Sequence, residues 1–155
     1  VLVQLEKEKA RVEQLIDEHI DNNPQLKNDQ RLLETIPGVG KVLSRYMMSV
    51  FRSRQFESAA QMAAYLGTVP VEYLSGTSVH KRPKLSKAGS ATIRAKLYMP
   101  AVVAAQYNPT AKALYERLLE KGKTKMAAIG AVMRKLVHIC FGVLKHQTAY
   151  SSQAA

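Results

Sequence analysis

Apolar side chains recur at helical spacing along most of the chain, and residues 1–22 are the first stretch to show it. They form a heptad stripe made of Leu2, Leu5, Val12, Leu15, Ile16 and Ile20. Lys9 and His19 occupy the remaining core positions of the heptad, which weakens the match. The pattern predicts an amphipathic helix ending at Asn22–Asn23–Pro24. Two interpretations stay open: an arm packed on its own domain, or the end of a coiled coil that pairs subunits.

A glycine turn separates the next two predicted helices. The first ends near Ile36, the sequence Pro-Gly-Val-Gly follows at residues 37–40, and the second begins near Lys41. This is the pattern of a helix–hairpin–helix, in which glycines allow a tight turn whose backbone N–H groups face a phosphate. Lys41 opposes the dipole at its helix start, which makes sense if an anion binds there. An ordinary two-glycine turn between packed helices is the alternative.

The middle of the chain combines a short helix with a polar, basic loop. Ser58 and Gln61 form a candidate capping box, opening a helix that closes at Gly67. Residues 68–85 lack helical periodicity, and two short extended pieces around Ser75–Gly76–Thr77 predict a small hairpin.

The following stretch predicts two further helices. The helix after Gly89 contains Pro100, which predicts a kink or break near Leu97. Asn108–Pro109 is an N-cap followed by proline at the first helical position, and Gly122 is the matching C-terminal stop.

The last helix, from Lys125 to about Lys145 with Thr124 as its cap, is long and mostly apolar, so we expect it at the centre of the core. Within it, His138 is expected to be a satisfied core histidine and Cys140 a buried, inert thiol. The predicted fold is all-α: a helical domain with a helix–hairpin–helix element, an irregular basic loop with a possible short β-hairpin, and an N-terminal coiled-coil-like helix.

Charge is distributed unevenly along the 155 residues, whose net charge is +11. Residues 1–30 carry 4 basic and 7 acidic side chains, residues 31–100 carry 11 and 3, and residues 101–155 carry 8 and 2. An acidic start set against a basic remainder suggests a polyanionic partner, nucleic acid above all. A basic surface that only aids solubility is the competing interpretation.

Other compositional features exclude several classes of protein. A single cysteine permits no internal disulfide and no cysteine-built metal site. No apolar run approaches 18 residues and no signal peptide opens the chain, so we expect a cytoplasmic protein without a membrane partner. Because Val1 starts in the middle of a helical pattern, the chain looks like a piece of a longer protein.

The candidate chemistry lies in the turn Ser86–Lys87–Ala88–Gly89–Ser90, which opens into a helix. A hydroxyl at a helix start, with Lys84, Lys87 and Arg94 close in sequence, suits a phosphate group. Taken alone, a serine at this position is more typical of a helix cap.

Several motifs in a fixed order carry a resemblance to a known family. They are IPGVG (36–40), AAYLG (63–67), SGTS (75–78), LSKAGS (85–90), IRAKLYMPA (93–101) and LYERLLEKGKTKMAAIGAVMRKL (114–136). Over about residues 30–147 the chain resembles the C-terminal domain of the serine-dependent insertion-sequence transposases related to the pilin-gene invertase. The resemblance implies three segments: residues 1–28 as the end of a coiled coil, residues 29–147 as the transposase C-terminal helical domain, and residues 148–155 as a frayed tail.

The resemblance also implies a mechanism. Ser86, in the Ser-Lys-x-Gly stretch, would attack a DNA phosphodiester and form a covalent serine–phosphate linkage; Ser90, where relatives commonly have Asn, is the alternative. Full-length relatives carry an acidic, RNase-H-like N-terminal domain that binds magnesium, and some are guided by a bridge RNA. No acidic residue lies between Glu72 and Glu116, and no metal site is visible in this chain. Magnesium is therefore expected in the missing N-terminal domain, and the fragment alone is expected to be inactive.

The leading hypothesis is thus DNA strand cleavage and transfer, with DNA as partner, a guide RNA as a further candidate partner, and homo-oligomers formed through the N-terminal helix. The alternatives are a non-catalytic helix–hairpin–helix module that binds DNA or RNA, and a helical oligomerisation domain. The predicted nucleic-acid-binding residues are Gly38, Gly40, Lys41, Arg45, Lys81, Arg82, Lys84, Lys87, Arg94, Lys123 and Lys125.

Overall fold

The computed structural model describes residues 1–75 and 79–152, with the side chains of all of these except residues 73–75 and 79–81. Within these ranges the chain forms seven helices and one two-stranded sheet. The elements are α1 (Leu2–Asp21), α2 (Pro24–Glu34), α3 (Lys41–Ser53), α4 (Ala59–Tyr65), β1 (Pro70–Ser75), β2 (Val79–Leu85), α5 (Ala91–Tyr107), α6 (Pro109–Glu120) and α7 (Lys125–His146). The strands pair antiparallel, with Pro70 opposite Leu85. The all-α prediction with a short hairpin is confirmed; of the turn predicted at Ser75–Gly76–Thr77, residues 76 and 77 lie outside the described residues.

Side-chain caps account for the helix starts that the sequence predicted. Ser58 accepts a hydrogen bond from the Gln61 N–H at 3.2 Å and opens α4. Asn108 accepts from the N–H groups of Thr110 and Ala111 at the start of α6. Thr124 accepts from the Ala127 N–H at 3.3 Å and opens α7. Each cap satisfies N–H groups that the first turn of a helix leaves without a partner.

The core is built around α7, against which α2, α3, α4, α5 and α6 all pack. By length and composition α7 could cross a membrane, yet most of its apolar stretch is buried inside the protein. Burial raises the pKa of the Cys140 thiol to about 12, which confirms the prediction of an inert, protonated cysteine. The prediction that the last helix is the central core helix is confirmed.

Of the kink or break predicted near Leu97 because of Pro100, the break does not occur. α5 runs unbroken from Ala91 to Tyr107 with Pro100 inside it, although proline leaves the Lys96 carbonyl without its N–H partner. A proline in a helix interior costs about 3 kcal/mol or more. The opposing contribution comes from packing, since Leu97, Ala101 and Ala104 on this helix are fully buried.

The buried carboxylate of Asp29 links α2 to the end of α3 and to the residue that follows α7. Asp29 on α2 is completely buried, and the Arg52 Nε at the end of α3 donates to its Oδ2 at 2.6 Å. The Gln147 side chain, just after α7, donates to the other oxygen at 2.9 Å. A buried carboxylate is tolerated only when it is paired and hydrogen-bonded, and here both oxygens have partners.

Two terminal segments differ in how firmly the structure holds them. Ile20 is the buried residue of α1, whereas Leu5 and Val12 are more than half exposed, so most of the apolar stripe is uncovered. The predicted frayed tail, by contrast, is anchored as far as Tyr150. Its N–H donates to the Thr35 hydroxyl and its own hydroxyl donates to Asn108, each at 2.9 Å. The prediction of fraying is wrong there, because a side chain beyond the last helix fills a polar site on the core.

His138 on α7 is not the satisfied core histidine that the sequence predicted. Its buried Nε2 has no hydrogen-bond partner among the residues that the structure describes. Burial, together with the charges of Arg134 and Lys135, lowers the pKa of His138 below its usual value of 6.5. The imidazole is therefore neutral in the folded chain at pH 7.

We predict that His138 makes the folding stability depend on pH. The unfolded chain takes up the proton first, so stability is fully present above pH 6.5 and is lost as pH falls from there through the lower folded pKa. His138→Leu should flatten this dependence in urea unfolding titrations between about pH 7 and pH 5. His146→Leu, at an exposed position on the same helix, should keep the wild-type dependence. Equal profiles for wild type and His138→Leu would contradict the assignment.

Candidate nucleic-acid interface

A sharply bent loop joins β2 to α5 and carries the candidate nucleophile. The Ser86 N–H donates to the Val69 carbonyl at 2.9 Å, so the loop leaves directly from the end of the hairpin. Lys87 and Gly89 then adopt left-handed backbone conformations, with φ angles of +55° and +78°. A left-handed lysine is uncommon, and residues held in such conformations cluster at functional sites. We call residues 86–90 the serine loop.

The serine loop lies with its backbone directly against the end of α4. A Cβ on Gly67 would lie 2.1 Å from the Ala88 carbonyl oxygen, and a Cβ on Gly89 would lie 2.1 Å from the Tyr65 carbonyl oxygen. No side chain fits at either position, so both glycines are required. The AAYLG and LSKAGS motifs therefore contact each other, although they are distant in the sequence.

Arg94, in the first turn of α5, holds the serine loop through hydrogen bonds to its backbone. Its Nη1 donates to the carbonyl oxygens of Ala88 and Gly89 at 2.9 and 3.1 Å, and lies 3.5 Å from the Leu66 carbonyl oxygen. The sequence prediction placed Arg94 among the phosphate-binding cations. The structure gives it contacts that hold the serine loop on α4 and put a positive charge beneath that loop.

The two serines of the loop have different surroundings. Ser90 is exposed and is the N-cap of α5, accepting from the Ile93 N–H at 3.4 Å. Ser86 is half-buried, lies four positions ahead of this cap, and accepts a long hydrogen bond of 3.4 Å from the Ala88 N–H. The capping role considered for Ser86 from sequence alone thus belongs to Ser90.

The serine loop brings together cations rather than acids. Lys84 and Lys87 are exposed, as is Arg82 on β2, whereas the Lys81 side chain lies outside the described ones. In residues 1–75 and 79–152, no group of three or more His, Cys, Asp or Glu side chains could hold a metal ion. The described residues therefore offer this loop no cluster of carboxylates that could hold magnesium.

A second part of the predicted interface, the corner between α6 and α7, lies near the end of the hairpin. Leu85 comes within 3.9 Å of where a side chain on Gly130 would begin, and Tyr98 of α5 contacts Met126 of α7. Lys125 precedes Gly130 by five positions, about 7.5 Å along the helix axis. Lys123 and Lys125 at this corner are exposed.

The two glycines of the turn before α3 have different surroundings. Gly38 has a φ of +101°, and a Cβ there would lie 2.9 Å from both the Ala104 Cβ and the Pro100 carbonyl oxygen. This glycine is therefore needed for packing on α5. Gly40 faces open space and caps α3 without a side-chain hydrogen bond. It opens onto a groove of about 440 Å³ between the start of α3 and the residues 95–100 of α5.

Lys41 and Arg45, beside this turn, share a carboxylate on α1. The Lys41 Nζ lies 2.8 Å from Asp17, and the Arg45 guanidinium binds the same side chain. The Lys41 hydrogen bond, aided by the charge of Arg45, holds the pKa of Asp17 below its usual value of 3.8. Sequence reasoning missed Asp17. Its helix carries many charged side chains, and nothing in the sequence indicates that this aspartate pairs with Lys41, 24 residues away.

We predict that Gly89→Ala destabilises the chain far more than Gly122→Ala. Both glycines have positive φ, near +78° and +75°, but a Cβ on Gly122 meets nothing within 4 Å. Gly122→Ala should therefore cost only the backbone strain, about 1 kcal/mol. Gly89→Ala should cost roughly a further 1–3 kcal/mol from overpacking, measured as the free energy of unfolding in urea. Equal losses would show that the serine loop is not held against α4.

Comparisons with known proteins agree with this arrangement of motifs. The family model described as "Transposase IS116/IS110/IS902 family" matches residues 30–116, which include the glycine turn, the hairpin, the serine loop and α5. The "Pilin gene-inverting protein" of Moraxella bovis is 34% identical over 137 residues, which cover 86% of this chain and 42% of that protein.

Two further relatives are transposon proteins by their names. The "Probable family 20 transposase" of Pseudomonas aeruginosa is 30% identical over 94% of this chain and 43% of its own length. The "Insertion element IS110 uncharacterized 43.6 kDa protein" of Streptomyces coelicolor is 27% identical over 79% of this chain and 30% of its own length. The chain spans less than half the length of these relatives. Since the family model covers more than half of it, this chain belongs to the IS116/IS110/IS902 family of transposases.

Proposed function

We propose that this chain supplies the serine nucleophile of a transposase that cleaves and rejoins DNA strands, with Ser86 as the attacking residue. One observation carries the proposal. The chain holds a half-buried serine in a strained loop, fastened by two glycines and an arginine, among cations and within the matched part of a transposase family. A strained loop held by several contacts is expected where a reacting group must be positioned.

The proposed chemistry is a pair of phosphoryl transfers. The Ser86 Oγ forms a bond to a DNA phosphorus while the bond from that phosphorus to a deoxyribose oxygen breaks, and the hydroxyl proton passes to a base. The released hydroxyl leaves with a proton, and a hydroxyl of another strand later reverses the step. Lys84 and Lys87 would stabilise the extra charge on the phosphoryl oxygens. A serine hydroxyl is a weak nucleophile and needs a base, which in this proposal comes from a further part of the full-length protein.

This requirement supports a division of labour with further parts of the full-length protein. Magnesium, expected in an acidic N-terminal domain, does not fit the side chains that the structure describes, and we derive no step through it. The exposed apolar stripe on α1 supports pairing of subunits through that helix. The proposed partners are thus DNA, a second copy of the protein and, as in relatives guided by RNA, a structured guide; the proposed location is the cytoplasm.

We predict that Ser86→Ala abolishes strand exchange by the full-length protein, by about 10³-fold or more, and leaves DNA affinity within about twofold. Removing the hydroxyl removes the bond-forming atom, whereas the binding cations remain. The measurement is recombination of a donor and a target plasmid together with DNA binding by fluorescence anisotropy. Ser90→Ala is the matched control and should retain most of its activity, with a small loss of stability from the missing cap.

The outcome of the same experiment with the 155-residue chain alone separates two versions of the proposal. We expect this chain to bind DNA but to form no nicks or covalent adducts, because no carboxylate set accompanies the loop. Adducts at Ser86 would show that the basic domain activates its own nucleophile. Recombination retained by Ser86→Ala would instead disprove the covalent mechanism.

A non-catalytic helix–hairpin–helix module is the second candidate function, and the start of α3 favours it. The N–H groups there lack a side-chain cap, beside the groove that Lys41 and Lys96 line. A phosphate at this point would have to compete with Asp17 for the Lys41 ammonium. On this hypothesis α1 lowers the affinity of the turn for nucleic acid.

We predict that Asp17→Asn strengthens DNA binding by the chain and steepens its salt dependence by about one phosphate contact, since it releases Lys41 and Arg45. Lys41→Ala should weaken binding to all sequences about equally and flatten the slope by roughly one. Asp21→Asn is the matched control, because Asp21 is also on α1, makes an exposed ion pair with Lys27 of α2, and its loss changes the net charge equally. If Asp17→Asn only reproduces Asp21→Asn, the glycine turn has no role in binding.

A further inference from the structure

A pocket with an aromatic floor lies between α3, the loop after it, and α7. Its volume is about 380 Å³, within the range of sites that hold small molecules or single nucleotides. Phe51, Phe56 and Phe141 form the floor, and Phe51 meets Phe141 edge-on with 5.6 Å between ring centroids. Arg54 and Lys145 lie at the rim. We call this the aromatic pocket.

The two cations at the rim lie against aromatic rings. The Arg54 guanidinium lies 4.7 Å from the centroid of the Tyr65 ring, and the Lys145 Nζ lies 5.4 Å from that of Phe141. Neither forms a salt bridge within the part of the chain that the structure describes. Arg52 in the same pocket differs, since Asp29 neutralises it. The Lys145 Nζ also donates to the Glu57 carbonyl oxygen, at 3.4 Å. The aromatic pocket therefore joins apolar ring surface to two cations that form no salt bridge with the described residues.

This combination matches the chemistry of an unpaired nucleotide. Single strands are held by aromatic rings that stack on bases and by cations that contact the flanking phosphates. In a duplex the bases are stacked on one another and cannot enter such a pocket. A purely apolar ligand would leave the two cations without a partner.

The position of the aromatic pocket relates it to the serine loop. Tyr65 connects the two: its ring packs 5.6 Å from that of Phe56 and lies under Arg54, while its carbonyl is the atom pressed against Gly89. The same residue therefore contacts both the pocket rim and the serine loop.

We propose that the aromatic pocket binds an unpaired base of a DNA strand, close to the strand that Ser86 attacks. The choice of DNA rests on the proposed function of the serine loop. Binding of the base would keep the strand locally unpaired near the serine loop. Arg54, Phe56 and Lys145 are DNA-positioning residues in this proposal.

The test uses the 155-residue chain and a short single-stranded DNA in which 2-aminopurine replaces one base, because stacking quenches its fluorescence. We expect strong quenching with the wild type and weak quenching with the matched duplex. Phe56→Leu keeps an apolar side chain but removes the ring, and should lose most of the quenching and about tenfold in affinity. Lys145→Gln, at an exposed position where folding is not at risk, should flatten the salt slope by about 0.7.

Lys112→Ala is the matched control for charge, because Lys112 is exposed on α6 and pairs only with Glu116. It should leave the quenching unchanged and the affinity within about twofold. Equal effects of Lys145→Gln and Lys112→Ala, or full quenching by Phe56→Leu, would overturn the pocket. Tighter binding and stronger quenching with RNA of the same sequence would overturn the choice of DNA. Quenching by Ser86→Ala should equal that of the wild type, so failure of the covalent mechanism would leave this result intact and remain distinguishable.

Discussion

The contact between two glycine-containing turns, one at the end of α4 and one before α5, is the constraint on which the candidate site depends. Gly67 and Gly89 allow two backbones to approach so closely that neither position has room for a Cβ. Arg94 crosses beneath them and binds the carbonyl oxygens of the loop. The position of the serine loop therefore depends on three residue identities, the two glycines and the arginine.

The features that could be predicted from sequence are those encoded within a few residues. Ser58 and Asn108 begin helices because their side chains bond N–H groups two or three positions away, and such signals are readable locally. The periodicity of α7 was sufficient to identify the core helix. The candidate loop was also found locally, as a run of small polar residues before a helix.

The features that sequence reasoning missed depend on contacts between distant segments. Asp17 lies 24 residues from Lys41, and Asp29 lies 118 residues from Gln147; nothing near either aspartate marks it as a partner. The effect of Pro100 was misjudged for the same reason, since the packing of α5 on its neighbours offsets a local penalty. Local patterns thus located the candidate site, whereas its clamp and its electrostatic surroundings required the fold.

α5 connects the parts of the interface and relates their functions. Its first turns hold the serine loop, and its residues 95–100 line the groove at the start of α3, so both lie along one helix. A nucleic acid that contacts the groove and reaches Ser86 would therefore follow α5. In the proposed function, strand cleavage by Ser86 would wait for a base from elsewhere in the assembly. The nucleophile would then react only when the complete complex has formed, which would protect DNA from premature breaks.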